Sequence, residues 1–207
     1  MRLPGGARSR AVLVGTSLAA DPDLSELPEV RGDLEDLAAA LTGGGIRCSV
    51  LEDRTVRAVD EELERAASQA EDLLLVHYAG HGLLDARGRL FLAAPDTRLE
   101  LPRWTALPFR DVRDVLLDAP ARERVLVLDC RWNPEALAAL GDPRSVLTEQ
   151  LGIEGVPTLV TTCGSPPVSL TRLLVRALHA GSDARSSTVY RALLRGSGTS
   201  KFRLVKN

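Results

Sequence analysis

Two side chains in this sequence could act as a nucleophile and its base. Cys130 offers a thiol and His81 an imidazole. A thiol becomes a useful nucleophile at neutral pH only beside a base that draws off its proton. Such a pair attacks acyl carbon, so the chemistry open to it is cleavage of a peptide or related bond. That reaction also needs donors for the developing oxyanion, and the backbone N–H of Gly82 is a candidate. Taken singly, neither residue says much. A lone cysteine at a strand end is most often an inert core residue, and a histidine between glycines is most often a turn residue. Their placement makes the case. One follows the apolar run Leu73-Leu74-Leu75-Val76-His77-Tyr78 and the other follows Val125-Leu126-Val127-Leu128.

Both runs read as strands with no polar alternation, as expected where both sheet faces are covered. Gly80-His81-Gly82 then reads as a tight, exposed turn just past the first run. Further strands are expected over 11–15, 46–51, 89–94 (an outlying hairpin strand), 156–162 and 202–205. Helices are expected between them. Residues 32–41 carry Leu34, Leu37, Ala38 and Leu41 at the i, i+3, i+4, i+7 spacing of an amphipathic helix. Thr55 can cap the next, whose stripe is Val56, Val59, Leu63, Ala66 and Ala70. Others are expected over 109–117, 134–140, 146–151, 169–180 and 187–194. This alternation predicts a three-layer α/β sandwich, a mostly parallel sheet of about six strands with helices on both faces. Ligands of such sheets sit beyond the carboxyl ends of the strands, where His81 and Cys130 fall. Residues 1–10 read as a flexible segment and 11–207 as a single domain. A subdomain boundary, if the chain has one, falls in 141–157.

Composition narrows the function classes. The chain has 207 residues, 44% hydrophobic but only 3% aromatic. It suits one domain with a core of Leu, Val and Ala. A formal net charge of -2 with no basic block argues against nucleic-acid binding. Cys48, Cys130 and Cys163 make no disulfide framework and suit a reducing cytosol. No CxxC pair or Cys/His cluster suggests zinc, Asp85 and Asp96 alone make no calcium site, and there is no P-loop or dinucleotide glycine pattern. No metal and no cofactor is therefore expected. The N-terminus does not resemble a signal peptide, and no run approaches the roughly 20 apolar residues of a membrane span. The expected setting is the cytoplasm, away from membranes. Arginine far outnumbers lysine, which occurs only at Lys201 and Lys206, as in high-GC bacterial coding. His77 reads as a packed residue, Cys163 as structural, and Trp104 and Trp132 as loop packing. His179 near a helix C-terminus is a mildly favourable cation.

Several motifs carry a family resemblance. Tyr78-Ala79-Gly80-His81-Gly82 resembles the Y/F-S-G-H-G histidine motif of caspase-like peptidases, especially bacterial caspase-like and metacaspase proteins. Val14-Gly15-Thr16-Ser17 resembles their first strand and turn. The segment from Leu27-Pro28 to Gly32-Asp33 resembles their L-P-x-x-x-N-D approach to the first helix. Gly88-Arg89-Leu90-Phe91-Leu92-Ala93-Ala94-Pro95-Asp96-Thr97 resembles G-R-L-Y-L-A-x-x-D-T. The likeness runs through about residues 11–131. It implies a caspase-like fold, with 11–140 as the large-subunit-like part and 155–207 as the small-subunit-like part. It implies peptide-bond cleavage by a Cys–His dyad, with His81 as general base and acid and Gly82 N–H on the oxyanion. Asp129 matches an acid that, in metacaspase-like proteins, helps to hold a basic side chain of the substrate. Protein or peptide partners are implied, and a dimer or partner domain is left open.

The nucleophile segment departs from that pattern. Bacterial members read D-C-C-x-S-G or D-S-C-x-S-G, with the nucleophile second after Asp. Counting without a gap from Asp129 puts Arg131 there, followed by Trp132-Asn133-Pro134. A guanidinium stays protonated and has no lone pair to offer. Successive strand residues face opposite ways, so if residue 131 faces the histidine, Cys130 faces the core. This register predicts a degenerate, catalytically impaired domain that serves as a binding or regulatory module, with Arg131 paired to Asp129 or another pocket acid. The alternative reads Cys130-Arg131 against the C-R of the Q-A-C-R-G caspase signature. Cys130 and His81 would then form the dyad of an active endopeptidase cutting after basic residues.

Overall fold

The computed structural model describes residues 6–141, 145–161, 169–179 and 202–205. Cys163 and the helix expected over 187–194 lie outside the described residues. Among the described residues the elements are β1 (Ser9–Gly15), α1 (Glu29–Gly43), β2 (Arg47–Glu52), α2 (Val56–Gln69), β3 (Leu73–Leu84), β4 (Leu90–Leu92), α3 (Pro102–Thr105), β5 (Leu107–Pro108), α4 (Phe109–Asp118), β6 (Glu123–Trp132), α5 (Pro134–Gly141), α6 (Val146–Leu151), β7 (Thr158–Thr161), α7 (Leu170–His179) and β8 (Phe202–Val205). The main sheet runs β2-β1-β3-β6-β7-β8, with β4 paired to β3 and β5 paired to β4. β2, β1, β3, β6 and β7 are mutually parallel, and β8 returns antiparallel. The expected mostly parallel α/β sandwich is what is found.

The two faces are buried separately. On one face Val30, Leu34, Leu37 and Leu41 of α1 and Leu170 and Leu174 of α7 cover Leu13, Leu75 and Val127. On the other, Val59 and Leu63 of α2, Val112 and Leu116 of α4, and Leu147 and Leu151 of α6 cover Leu74, Val76 and Leu126. Local chemistry sets several boundaries. Thr55 caps α2 by accepting from Ala58 N–H at 3.3 Å. Asn133 Oδ1 accepts from Ala136 N–H at 3.2 Å, and Pro134 starts α5, a position where the missing N–H costs nothing. Leu147 and Leu151 of α6 and the following Ile153 and Val156 are buried, so the described residues 145–157 pack against the core through these side chains.

One expectation is overturned. Gly80-His81-Gly82 is not a turn. β3 continues through it to Leu84, in register with β6 as far as Gly82 opposite Trp132. Both glycines are required by rings on the strand face away from α1. A Cβ on Gly80 would strike the Tyr78 phenol, and one on Gly82 would strike the Trp132 indole. The phenol lies there because its hydroxyl donates to Ala93 O at 2.8 Å and, less closely, to His81 O at 3.2 Å.

Candidate functional site

Unequal strand lengths make the site. β1 stops in register at Gly15 opposite Ala79, and β7 at Val160 opposite Leu128. β3 and β6 run on together, His81 opposite Arg131. This two-stranded extension stands past the carboxyl edge of its neighbours, the place where open α/β sheets bind ligands. Its residues alternate between faces. Ala79 and Val127 belong to the α1/α7 core, so His77, His81, Asp129 and Arg131 share that side. Tyr78, Leu128, Cys130 and Trp132 belong to the opposite core.

His81 and Arg131 are both tied to the segment before α1. His81 Nε2 lies 2.8 Å from the Ser25 carbonyl, which can only accept, so the proton is on Nε2 and Nδ1 keeps the lone pair. Burial holds the His81 pKa below its ordinary value; the Ser25 bond opposes that shift and the Arg131 charge adds to it. Arg131 Nη2 donates to Glu29 Oε1 at 2.7 Å, and Nη1 reaches Ser25 Oγ at 3.4 Å. The acid that pairs with Arg131 is therefore Glu29 in the first turn of α1, not Asp129.

Asp129 is committed elsewhere. Its Oδ2 accepts from Thr171 N–H at 2.9 Å and from Thr171 Oγ1 at 2.7 Å. The carboxylate thus satisfies the otherwise unpaired start of α7. Burial raises its pKa, and the Thr171 bonds pull the other way. Because the Thr171 hydroxyl proton goes to Asp129, its oxygen accepts from His77 Nε2 at 2.8 Å. His77 Nδ1 is buried without a partner, and burial depresses the His77 pKa to about 3. His77 is a packed residue, as its place inside the strand implied.

Cys130 lies on the far side of the sheet from His81. It is 2% exposed, and burial, then the Asp129 charge, push its thiol pKa well up. Thr161 staples its backbone: Oγ1 accepts from Cys130 N–H at 3.0 Å and donates to Cys130 O at 2.7 Å. Trp132 Nε1 donates to Thr161 O at 2.7 Å. Gly82 sits between two ladders, opposite Trp132 on β6 and Leu92 on β4, and its carbonyl accepts from Asn133 N–H at 3.1 Å.

Two cavities meet at this corner. A cleft of about 1040 Å³ is lined by Ser25, His81, Arg89, Trp104, Arg131 and Asn133, among others. A smaller pocket of about 290 Å³ is lined by Glu29, Asp33, Asp129, Arg131, Ser169 and Arg172, with apolar and backbone neighbours. Asp33 is buried and accepts from Arg172 Nε at 2.7 Å and Ser169 Oγ at 2.6 Å. Glu29, Asp33, Ser169, Thr171 and Arg172 were not singled out from sequence as site residues. Asp33 could have been, since it closes the Leu27-to-Asp33 motif. Among the described residues, no group of three or more His, Cys, Asp or Glu side chains could hold a metal ion. No helix among them is long and apolar enough to cross a membrane.

The sheet order and the histidine strand define an α/β fold of the caspase type. The solved structure of pro-sf-caspase-1 superposes with a TM-score of 0.63, covering 90% of this chain and 76% of that one at 14% identity. The sequence matches the caspase domain family, peptidase C14, over residues 8–191, and the chain belongs to that family. No curated protein matches the sequence.

Proposed function

We propose that this chain is a caspase-domain protein that binds a protein or peptide segment at the His81 cleft without cleaving it. The observation that carries this reading is the β3–β6 register, in which Arg131 and not Cys130 shares a face with His81. A dyad needs sulfur and imidazole within hydrogen-bond reach. Cys130 is on the other side of the sheet, buried and with a raised pKa. Arg131, at the position where the family places its nucleophile, cannot attack. His81 keeps an oriented ring whose Nδ1 has no partner among the described residues, so the histidine half can accept a hydrogen bond from an N–H or hydroxyl group of a partner. An oxyanion role for Gly82 belongs to the peptidase alternative and would need its ladder contacts to open. In this reading 11–207 is one domain, with 11–140 and 155–207 matching the family's large and small parts. The sparse cysteines and arginine-rich composition favour a reducing bacterial cytoplasm.

The test is chemical. Native protein is treated with a thiol-reactive peptide probe carrying arginine or lysine, and labelling at Cys130 is read by mass spectrometry beside peptidase assays of wild type and His81→Ala. The expected result is no His81-dependent labelling and no His81-dependent cleavage. Rapid labelling of Cys130 that disappears in His81→Ala would establish the active-dyad alternative. Arg131→Cys should react where Cys130 does not.

A further inference from the structure

The His81 ring is aimed by Ser25, and Ser25 is not held by its own surroundings. It is exposed, as are Pro22, Asp23 and Glu26, and it belongs to residues 16–28, which contain no helix or strand. Exposed irregular segments are ordinarily the mobile part of a domain. A carbonyl kept 2.8 Å from the His81 ring therefore calls for an anchor. Apolar contact supplies part of it, since Leu24 and Leu99 pack against a small core of Leu83, Phe91, Ala93 and Ala106. The polar part is Asp21, which is buried and lines neither of the two cavities. Its Oδ1 accepts from Asp23 N–H at 3.0 Å, closing a tight turn. Its Oδ2 accepts from Leu99 N–H at 2.8 Å, across to the segment between β4 and α3. Beside it, Ala20 N–H donates to Pro95 O at 2.8 Å, and Ala20 O accepts from Arg98 Nη1. The Leu99 and Asp23 N–H groups hold the Asp21 pKa below its ordinary value, so both donate to a charged carboxylate, the stronger kind of bond.

We propose that Asp21 is the positioning residue of the His81 cleft: by bonding Asp23 and Leu99 at once it fixes the segment that carries Ser25, and through the Ser25 carbonyl it fixes which His81 nitrogen bears the proton. Asp21 acts through Ser25 and touches nothing in the cleft itself. The Ser25 carbonyl can only accept, so while it stays in place Nδ1 is kept as an acceptor. Without Asp21 the ring is free to carry its proton on either nitrogen, and the acceptor that serves a partner is no longer constant. A site is weakened by small errors in the groups that support it, even where its own residues are intact. The inference rests on reading the His81 cleft as the binding site.

The test reads the ring directly. Long-range 1H–15N NMR spectra of the neutral rings separate the two tautomers and show whether Nε2–H is protected from exchange with water. Wild type is compared with Asp21→Ala and with Thr55→Ala, which removes the α2 cap and loosens the fold away from the cleft. His77, held by Thr171, is the internal reference. The expected result is one Nε2-protonated, exchange-protected form of His81 in wild type and Thr55→Ala, and a tautomer mixture with rapid Nε2–H exchange in Asp21→Ala. An unchanged His81 ring in Asp21→Ala overturns the proposal, and so does a mixed ring already in wild type. An equal change in Thr55→Ala also overturns it, since general loosening is then the cause. If Asp21→Ala does not fold, Asp21→Asn offers one acceptor oxygen to the same two donors and should give a smaller change of the same kind; a spectrum identical to wild type then overturns the proposal. No partner peptide is needed, so failure here leaves the non-cleaving reading standing. A reactive Cys130 rejects that reading and leaves the role of Asp21 to the NMR result.

Discussion

The two faces of the β3–β6 ribbon are built from alternate residues of the same strands, yet they hold different kinds of chemistry. Toward α1 and α7 stand His77, His81, Asp129 and Arg131, each with a polar or charged partner from another element. Toward the other helices stand Tyr78, Cys130 and Trp132, closed over Gly80 and Gly82. One face is arranged by hydrogen bonds that can be exchanged, the other by ring packing that cannot move without a void or a clash. The difference shows that residue type does not tell which face of the sheet a side chain takes. The soft nucleophile lies on the packed face and an unreactive cation on the open one.

The comparison can be broken most forcefully on the packed face. Trp132→Ala removes a 5%-exposed indole and its bond to Thr161, and should cost about 3–5 kcal/mol. Urea unfolding would measure it, and a loss below about 1 kcal/mol would contradict the rigid packing described.

A smaller effect is expected from the buried part of the open face, and it depends on pH. His77 has a folded pKa of about 3 against an ordinary value of 6.5. Between those values the unfolded chain binds a proton that the native chain does not, so stability falls as pH drops through that window. From pH 6.5 to 4.5 this residue should account for about 2–3 kcal/mol. Unfolding of wild type and His77→Gln at both pH values checks this, and the variant should lose less. The smallest effect belongs to the outer end. Arg131→Gln breaks a pair about one-third exposed on each side, worth less than about 1 kcal/mol. Burial is the main cause of the lowered His81 pKa, but the Arg131 charge adds to it, so the change should nevertheless raise that pKa. An NMR titration of His81 showing no rise would mean that the two side chains do not sense each other.

Much of the fold was legible because each element declares itself locally. The Leu34-Leu37-Leu41 stripe, the Thr55 cap and the unbroken run at Leu73 need only neighbours in sequence. Helix α1 begins at Glu29, three residues before the apolar stripe suggested. The turn expected at Gly80-His81-Gly82 failed for a non-local reason: its glycines make room for Tyr78 and for Trp132, which is fifty positions further on. The facing of Arg131 and His81 could be argued from strand alternation and the family pattern. Its partner could not. Glu29 and Thr171 reach Arg131 and Asp129 from α1 and α7, more than forty residues away in each case, and no local pattern encodes that meeting.

The register that sets His81 opposite Arg131 also fixes a mutational distance. The arginine codons CGC and CGT become the cysteine codons TGC and TGT by a change at one base. A lineage carrying either could exchange guanidinium for thiol on the histidine face in a single step, and could return as easily. Cys130 has no such route, because a residue on the packed face changes sides only if the whole strand slips. The ancestry of a domain like this one is therefore better traced at codon 131 than at its visible cysteine.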